Sequence, residues 1–268
     1  MTSAKSVLTQ RNLSPKKSFG QNFLSDDDHL RMIAQATCDL REDSRTRIYE
    51  IGAGLGALTR ALLNQGAIVS AIERDRDLVP ILRETFAAEI QSGQLDLHEA
   101  NATTFFTNYP TKIVLCGNLP YHLTSSILFE TARLHNQISG AVYLIQKEVA
   151  ERIAGKPGSK TYGLLSVLMQ SRFETSIIHE VPRAAFWPAP HVESSVIRFK
   201  PRKHPTDIQW DLFVKLVKAA FAHRRKTLTN SLSGYADIEG ILNSLGINPK
   251  SRAENLSYQD YEKILSCL

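Results

Sequence analysis

From Arg47 onward, short apolar runs alternate with helical segments: "RIYEIGA", "LGALTRALLNQ", "AIVSAIER" and "RDLVPILRETFAAEI" follow one another in βαβ order. This order constrains the fold more than any other feature. Parallel strands cannot be joined by a tight turn, so each crossover helix carries the chain back over the sheet and covers a face of it. The pattern continues through "QLDLHEA", "KIVLCGN", a helix from about Thr124 to Leu134, "GAVYLIQ", and helical segments around Glu148 and Leu165. "RFETSIIHEV" and "ESSVIRFKP" then come without an intervening helix and read as an antiparallel pair closing the edge. The expected class is α/β, a mainly parallel sheet with an antiparallel edge strand.

Both ends depart from this alternation. "SDDDHLRMIAQATCDL" reads as a helix capped by Ser25, which leaves residues 1–24 as a basic arm. Beyond "KPRKHPTD" only helical periodicity remains, so residues 204–268 form a small all-helical domain and residues 25–203 the main one. The net charge is only +5, but it is concentrated. Residues 1–25 carry Lys5, Arg11, Lys16 and Lys17 with no acid, and residues 198–226 carry nine basic side chains against Asp207 and Asp211. Such blocks suit a polyanion, although a solvated surface accounts for them equally well on charge alone. Cys38, Cys116 and Cys267 lack disulfide or zinc-ligand spacing, and no histidine cluster adds one; no metal site is expected, and a reducing cytoplasm is. No run approaches the roughly 18 apolar residues of a membrane span, so no membrane partner is expected.

"YEIGAGLGALT" sets Gly52, Gly54 and Gly56 between the first strand of the alternation and a helix. Glycines there let the backbone turn sharply and approach a ligand beside unpaired helix N–H groups. Glu73 ends the next strand, 21 residues after Gly52, where a carboxylate can accept from both hydroxyls of an adenosine ribose. Asn101, after "LDLHEA", falls at the end of the third strand, where a polar side chain could hydrogen-bond the adenine of the same cofactor or equally cap the loop. The loop also fits nicotinamide and flavin fingerprints, so it does not select among adenosine cofactors.

The fourth strand runs into "GNLPY". Ligands of open α/β sheets collect at the carboxyl ends of strands, beside the glycine loop. Pro120 has no N–H and pushes Leu119 toward an extended conformation. The side-chain oxygen of Asn118 and the carbonyl of Leu119 are two acceptors, and an exocyclic amine has two donors. Accepting both protons draws the conjugated nitrogen toward an available lone pair, and Tyr121 supplies a face on which a base can stack, worth roughly 1–3 kcal/mol. An isolated N-x-P-Y could equally be a proline turn beside a packed tyrosine.

Taken in order, "FGQNFL", "EIGAGLGALT", "AIERD", "GNLPYHLTSSILF", "LIQKEVAERI", "YGLLSV", "FWPAPHVESSVIRF" and "FAHRRKTLTNSL" resemble the KsgA-type ribosomal RNA adenine N6-dimethyltransferases, from about Phe19 to Leu232. The resemblance implies a Rossmann-like class I methyltransferase domain with a helical C-terminal domain. It also implies transfer from S-adenosylmethionine to two adjacent adenosines in the 3′-terminal hairpin of small-subunit ribosomal RNA, within an immature 30S-type particle, leaving S-adenosylhomocysteine. By the family pattern Asn22 and Leu24 line the cofactor site, Gly52 and Gly54 approach its amino-acid part, and Glu73 takes the ribose. Asn118 is shared between cofactor and target amine, and Phe186 packs on a flipped-out adenine opposite Tyr121. Lys16, Lys17, Arg224, Arg225 and Lys226 would hold RNA phosphates without reading sequence. The family usually has Asp where this chain has Asn101, which keeps an acceptor oxygen but loses the charge. A monomer is expected. Competing readings are a large-subunit RNA methyltransferase, an assembly factor that chiefly binds immature small subunits and, from the glycine loop alone, a nicotinamide oxidoreductase.

Overall fold

The computed structural model describes residues 4–102, 111–203, 209–223 and 225–268. The chain divides into two compact units, one of residues 1–150 and 176–201, the other of residues 151–175 and 202–268. Residues 151–175 therefore group with the C-terminal segment across the linear cut expected near 203.

Nine strands are described: β1 (Phe23–Leu24), β2 (Ile48–Ile51), β3 (Val69–Glu73), β4 (Leu95–Glu99), β5 (Ile113–Asn118), β6 (Ile138–Gln146), β7 (Phe173–Val181), β8 (Phe186–Trp187) and β9 (Ser194–Pro201). Seven form one sheet in the order β4-β3-β2-β5-β6-β9-β7. β4, β3, β2, β5 and β6 pair in parallel, and β9 is antiparallel to β6. The parallel core stands as expected, and β9 and β7 are neighbours at the edge, with β7 outermost. The strand order reverses between β2 and β5, so the tips carrying the glycine loop and Asn118 lie side by side at the topological switch point. β3 is buried along its whole length and β5 up to Asn118, as a sheet covered on both faces requires.

The helix expected after Ser25 spans Asp27–Cys38 and turns Leu30, Ile33, Ala34 and Cys38 inward. Its cap is Asp26, not Ser25: the Asp26 carboxylate accepts from the Asp28 and His29 N–H groups at 3.0 and 3.1 Å. Ser25 is otherwise engaged, since both its N–H and its hydroxyl donate to the Ala185 carbonyl. The segment expected as an arm is folded onto the sheet unit. A helix over Ala4–Gln10 buries Leu8 against Phe23, Leu78 and Ile81, Arg11 pairs with Glu84, and β1 pairs antiparallel with β8, Phe23 opposite Trp187 and Leu24 opposite Phe186.

In the second unit, the helices Trp210–Phe221 and Tyr258–Ser266 bury Phe213, Leu216, Val217, Tyr261 and Ile264. Ser257 and Asp260 cap the last helix reciprocally. No described helix is long and apolar enough to cross a membrane.

Candidate functional site

The walls of one cavity of about 600 Å³ are built at the switch point. Asn22, Leu24, Gly52, Gly54, Glu73, Asn101, Asn118, Leu119 and Tyr121 all line it, so nine positions drawn from five stretches of sequence converge.

On the β2 side the chain leaves Ile51 through Gly52 and Gly54, at φ of +75° and +59°. This left-handed backbone is strained for residues other than glycine. A Cβ at Gly54 would meet the Phe23 ring at 3.3 Å. The Gly54 N–H donates to Glu73 at 2.8 Å, and the other Glu73 oxygen accepts the Asp75 N–H at 2.8 Å. Burial pushes the Glu73 carboxyl up in pKa, while those N–H groups pull it back. A carboxylate offers about four lone-pair sites, so acceptor capacity remains for a ribose hydroxyl. Asn101 follows the end of β4, where the Ala100 N–H donates to the Glu73 carbonyl at 3.0 Å.

On the β5 side, Gly117 lets two strand tips approach: a Cβ there would lie 2.4 Å from the Ile51 carbonyl oxygen. The next side chain, Asn118, donates from Nδ2 to the backbone carbonyl of Asn22 at 2.8 Å. A carbonyl only accepts, so the amide nitrogen must face Asn22 and Oδ1 lies on the opposite branch as an acceptor. The Leu119 N–H continues the ladder to the Leu144 carbonyl, and the Pro120 carbonyl accepts the Leu123 N–H to start the helix Thr124–Arg133. Tyr121 is half-buried, its hydroxyl 3.0 Å from Ser194 Oγ at the start of β9; burial raises its pKa, so it stays a phenol.

Other expected positions lie elsewhere. Phe186 is only 5% exposed, sits opposite Leu24 in β8 among apolar core residues, and is not among those lining the cavity. Lys16, expected on phosphate, is bound to two acids: its ammonium lies 2.5 Å from Asp75 and 2.6 Å from Asp77. Lys17 is exposed. Arg225 and Lys226 are exposed in the second unit, and Arg224 lies outside the described residues. Among the described residues no group of three or more His, Cys, Asp or Glu could hold a metal ion.

Three participants were missed. Glu50 lines the cavity from within β2, fully buried; its carboxyl accepts from Thr59 Oγ1 at 2.5 Å, and burial pushes its pKa up to about 8. An acid inside the apolar run "RIYEIGA" was the available signal. Asp75 and Ser194 gave none, because acids and serines near strand ends are ordinary.

Compared with known proteins, the model of the family described as "Ribosomal RNA adenine dimethylase" matches residues 12–268. "Ribosomal RNA small subunit methyltransferase A" of Myxococcus xanthus (strain DK1622) is 39% identical over 98% of this chain and 94% of its own. The protein of the same name from Anaeromyxobacter dehalogenans (strain 2CP-C) is 41% identical over 97% of this chain and 95% of its own. Among solved structures, a dimethyladenosine transferase from Plasmodium falciparum superposes with a TM-score of 0.76 at 24% identity, covering 91% of this chain and 96% of its own. The 23S rRNA methyltransferase ErmE gives 0.72 at 24% identity, covering 91% and 98%. At that identity these two likenesses speak for the fold alone.

Proposed function

Because the chain belongs to the ribosomal RNA adenine dimethylase family, we propose that it dimethylates N6 of two adjacent adenosines in the 3′-terminal hairpin of 16S-type ribosomal RNA. In this reading it uses S-adenosylmethionine and acts as a cytoplasmic monomer on an immature 30S-type particle. The observation that carries the reading is Asn118: an amide locked by the Asn22 carbonyl on the wall shared by the glycine loop and "NLPY".

The cavity fits the methyl donor on its donor set. Gly52 and Gly54 allow close backbone approach, Glu73 offers lone pairs to a ribose, and Asn101 offers an amide to an adenine. S-adenosylmethionine, when bound, supplies a methyl already activated on a sulfonium. The chain's own task is then chiefly positioning, which can lower a barrier by about 7–11 kcal/mol at best. Asn118 Oδ1 and the Leu119 carbonyl accept the two N6 protons of the target and turn its lone pair toward the cofactor. Tyr121, held by Ser194, stacks on the extruded base. We assign Phe186 to supporting β1 behind Leu24, in place of a second stacking face. Lys17, Arg224, Arg225 and Lys226 contact phosphates.

Incubation with labelled methyl donor and immature small subunits should give N6,N6-dimethyladenosine in small-subunit RNA. Transfer only to large-subunit RNA would overturn the substrate. Calorimetric titration should detect S-adenosylhomocysteine and not NAD; the reverse result would remove the methyltransferase reading.

A further inference from the structure

The stretch from Lys16 to Asn22 forms part of the cavity wall through Phe19, Gly20, Gln21 and Asn22. It is fastened at both ends. At one end the Asn22 carbonyl takes the Asn118 amide. At the other, the buried carboxylate of Asp75, 1% exposed, accepts from Lys16 Nζ at 2.5 Å and from Gln21 Nε2 at 2.7 Å. Gln21 also turns its side-chain oxygen back to the Lys16 N–H at 2.8 Å, so residues 16 and 21 reach Asp75 as one closed turn. The Phe19 ring has the Lys16 ammonium and the Arg74 guanidinium each 5.4 Å from its centroid. Asp75 is tied to Glu73 as well, through its own N–H.

We propose that residues 16–22 are a strap over the cofactor cavity, latched on Asp75 by Lys16 and Gln21, and that these three are positioning residues which set how long the cofactor stays bound. The inference rests on the cofactor assignment above and changes the role of Lys16 from phosphate contact to latch. Phe19, Gly20, Gln21 and Asn22 are wall residues, so release of either end loosens that wall around a bound cofactor. The Asp75 end consists of side-chain contacts alone, with the half-exposed Lys16, which also pairs with the exposed Asp77, as its outer member, so it is the end that opens.

The test is S-adenosylhomocysteine binding by stopped flow for the wild type, Lys16→Met and Lys16→Arg, alongside the salt dependence of RNA binding. Lys16→Met should release S-adenosylhomocysteine about tenfold faster and raise KM for the methyl donor with kcat nearly unchanged. Lys16→Arg should restore the wild-type rate within about twofold, and the salt slope of RNA binding should not move. An unchanged release rate with a salt slope reduced by about one would overturn the proposal and return Lys16 to phosphate. Should Lys16→Met not fold, hydrogen exchange on the wild-type protein decides. Amides of residues 16–22 should gain protection on addition of S-adenosylhomocysteine, and no change there, with protection at Gly54, overturns the strap. If the wild type does not bind S-adenosylhomocysteine at all, the functional reading fails and not merely the latch.

Discussion

Glu50 combines an acid, full burial and a single hydroxyl donor, and its folded pKa of about 8 stands above the ordinary 4.5. The folded state therefore holds a proton that the unfolded chain releases. The stability this contributes is complete below about pH 4.5 and is lost as pH rises through about 8. Glu50→Gln should accordingly raise the melting temperature above that of the wild type at pH 9, by on the order of 1–3 kcal/mol of stability, with the gain shrinking toward pH 5. Thermal scans of both proteins at the two pH values check it, and an equal gain at both would refute the assignment. Asn118→Ala should lower methyl transfer by on the order of 100-fold while RNA affinity stays within about twofold, measured by single-turnover labelling and by filter binding. Gly117→Ala must displace either β5 or the Ile51 carbonyl, costing about 1–3 kcal/mol in denaturant unfolding. Gly52, Gly54, Glu73, Asn101 and Asn118 were legible because each sits at the end of a strand that the βαβ pattern locates, whereas Asn22 and Leu24 came only with the family resemblance. Glu50 was signalled only as an acid inside an apolar run, since its environment depends on Thr59 closing over it nine residues later. The pairing of Lys16 was not legible, because a lysine in a basic stretch looks the same in sequence whether it faces solvent or a buried aspartate 59 residues away.

Among the elements, those with strong periodicity were readable to within a residue or two, as with Thr124–Arg133. Short pieces were not. β1 and β8 have two residues each and exist because they pair with one another across most of the sheet unit's sequence. The helix Ala4–Gln10 has one fully inward residue, too few for a period, and owes its place to Phe23, Leu78 and Ile81. Leu8→Ala should thus cost about 2–5 kcal/mol, read as a lowered midpoint in urea unfolding. An effect below about 0.5 kcal/mol, within the scatter of surface substitutions, would mean that this helix does not share in the cooperative fold.

At the scale of the whole chain, the boundary near 203 marks a real change of pattern, from alternating strands to helices. Linear reading could not assign residues 151–175 to the second unit, because the helix Leu164–Arg172 lies amid the sheet's own helices in sequence. Its Arg172 guanidinium instead lies 4.9 Å from the Trp210 ring centroid. Basic residues of the second unit are expected to act on RNA without touching cofactor chemistry. Replacing Arg225 and Lys226 together by Ala should lower the salt slope of RNA binding by about one for each phosphate left without its cation, and leave the affinity for S-adenosylhomocysteine unchanged. A weaker hold on the cofactor in that variant would contradict the division of labour.

The bond from Asn118 to the Asn22 carbonyl has one more consequence. With its nitrogen turned to the protein backbone, the amide can offer a base only an oxygen. A deaminated target, inosine, carries a carbonyl where adenosine carries its amine, so oxygen would face oxygen, with each buried acceptor left unmatched at about 1–3 kcal/mol. On the proposed function, RNA with inosine at the target position should therefore bind through its phosphates yet fail to lodge its base, visible as retained affinity without quenching of Tyr121 fluorescence.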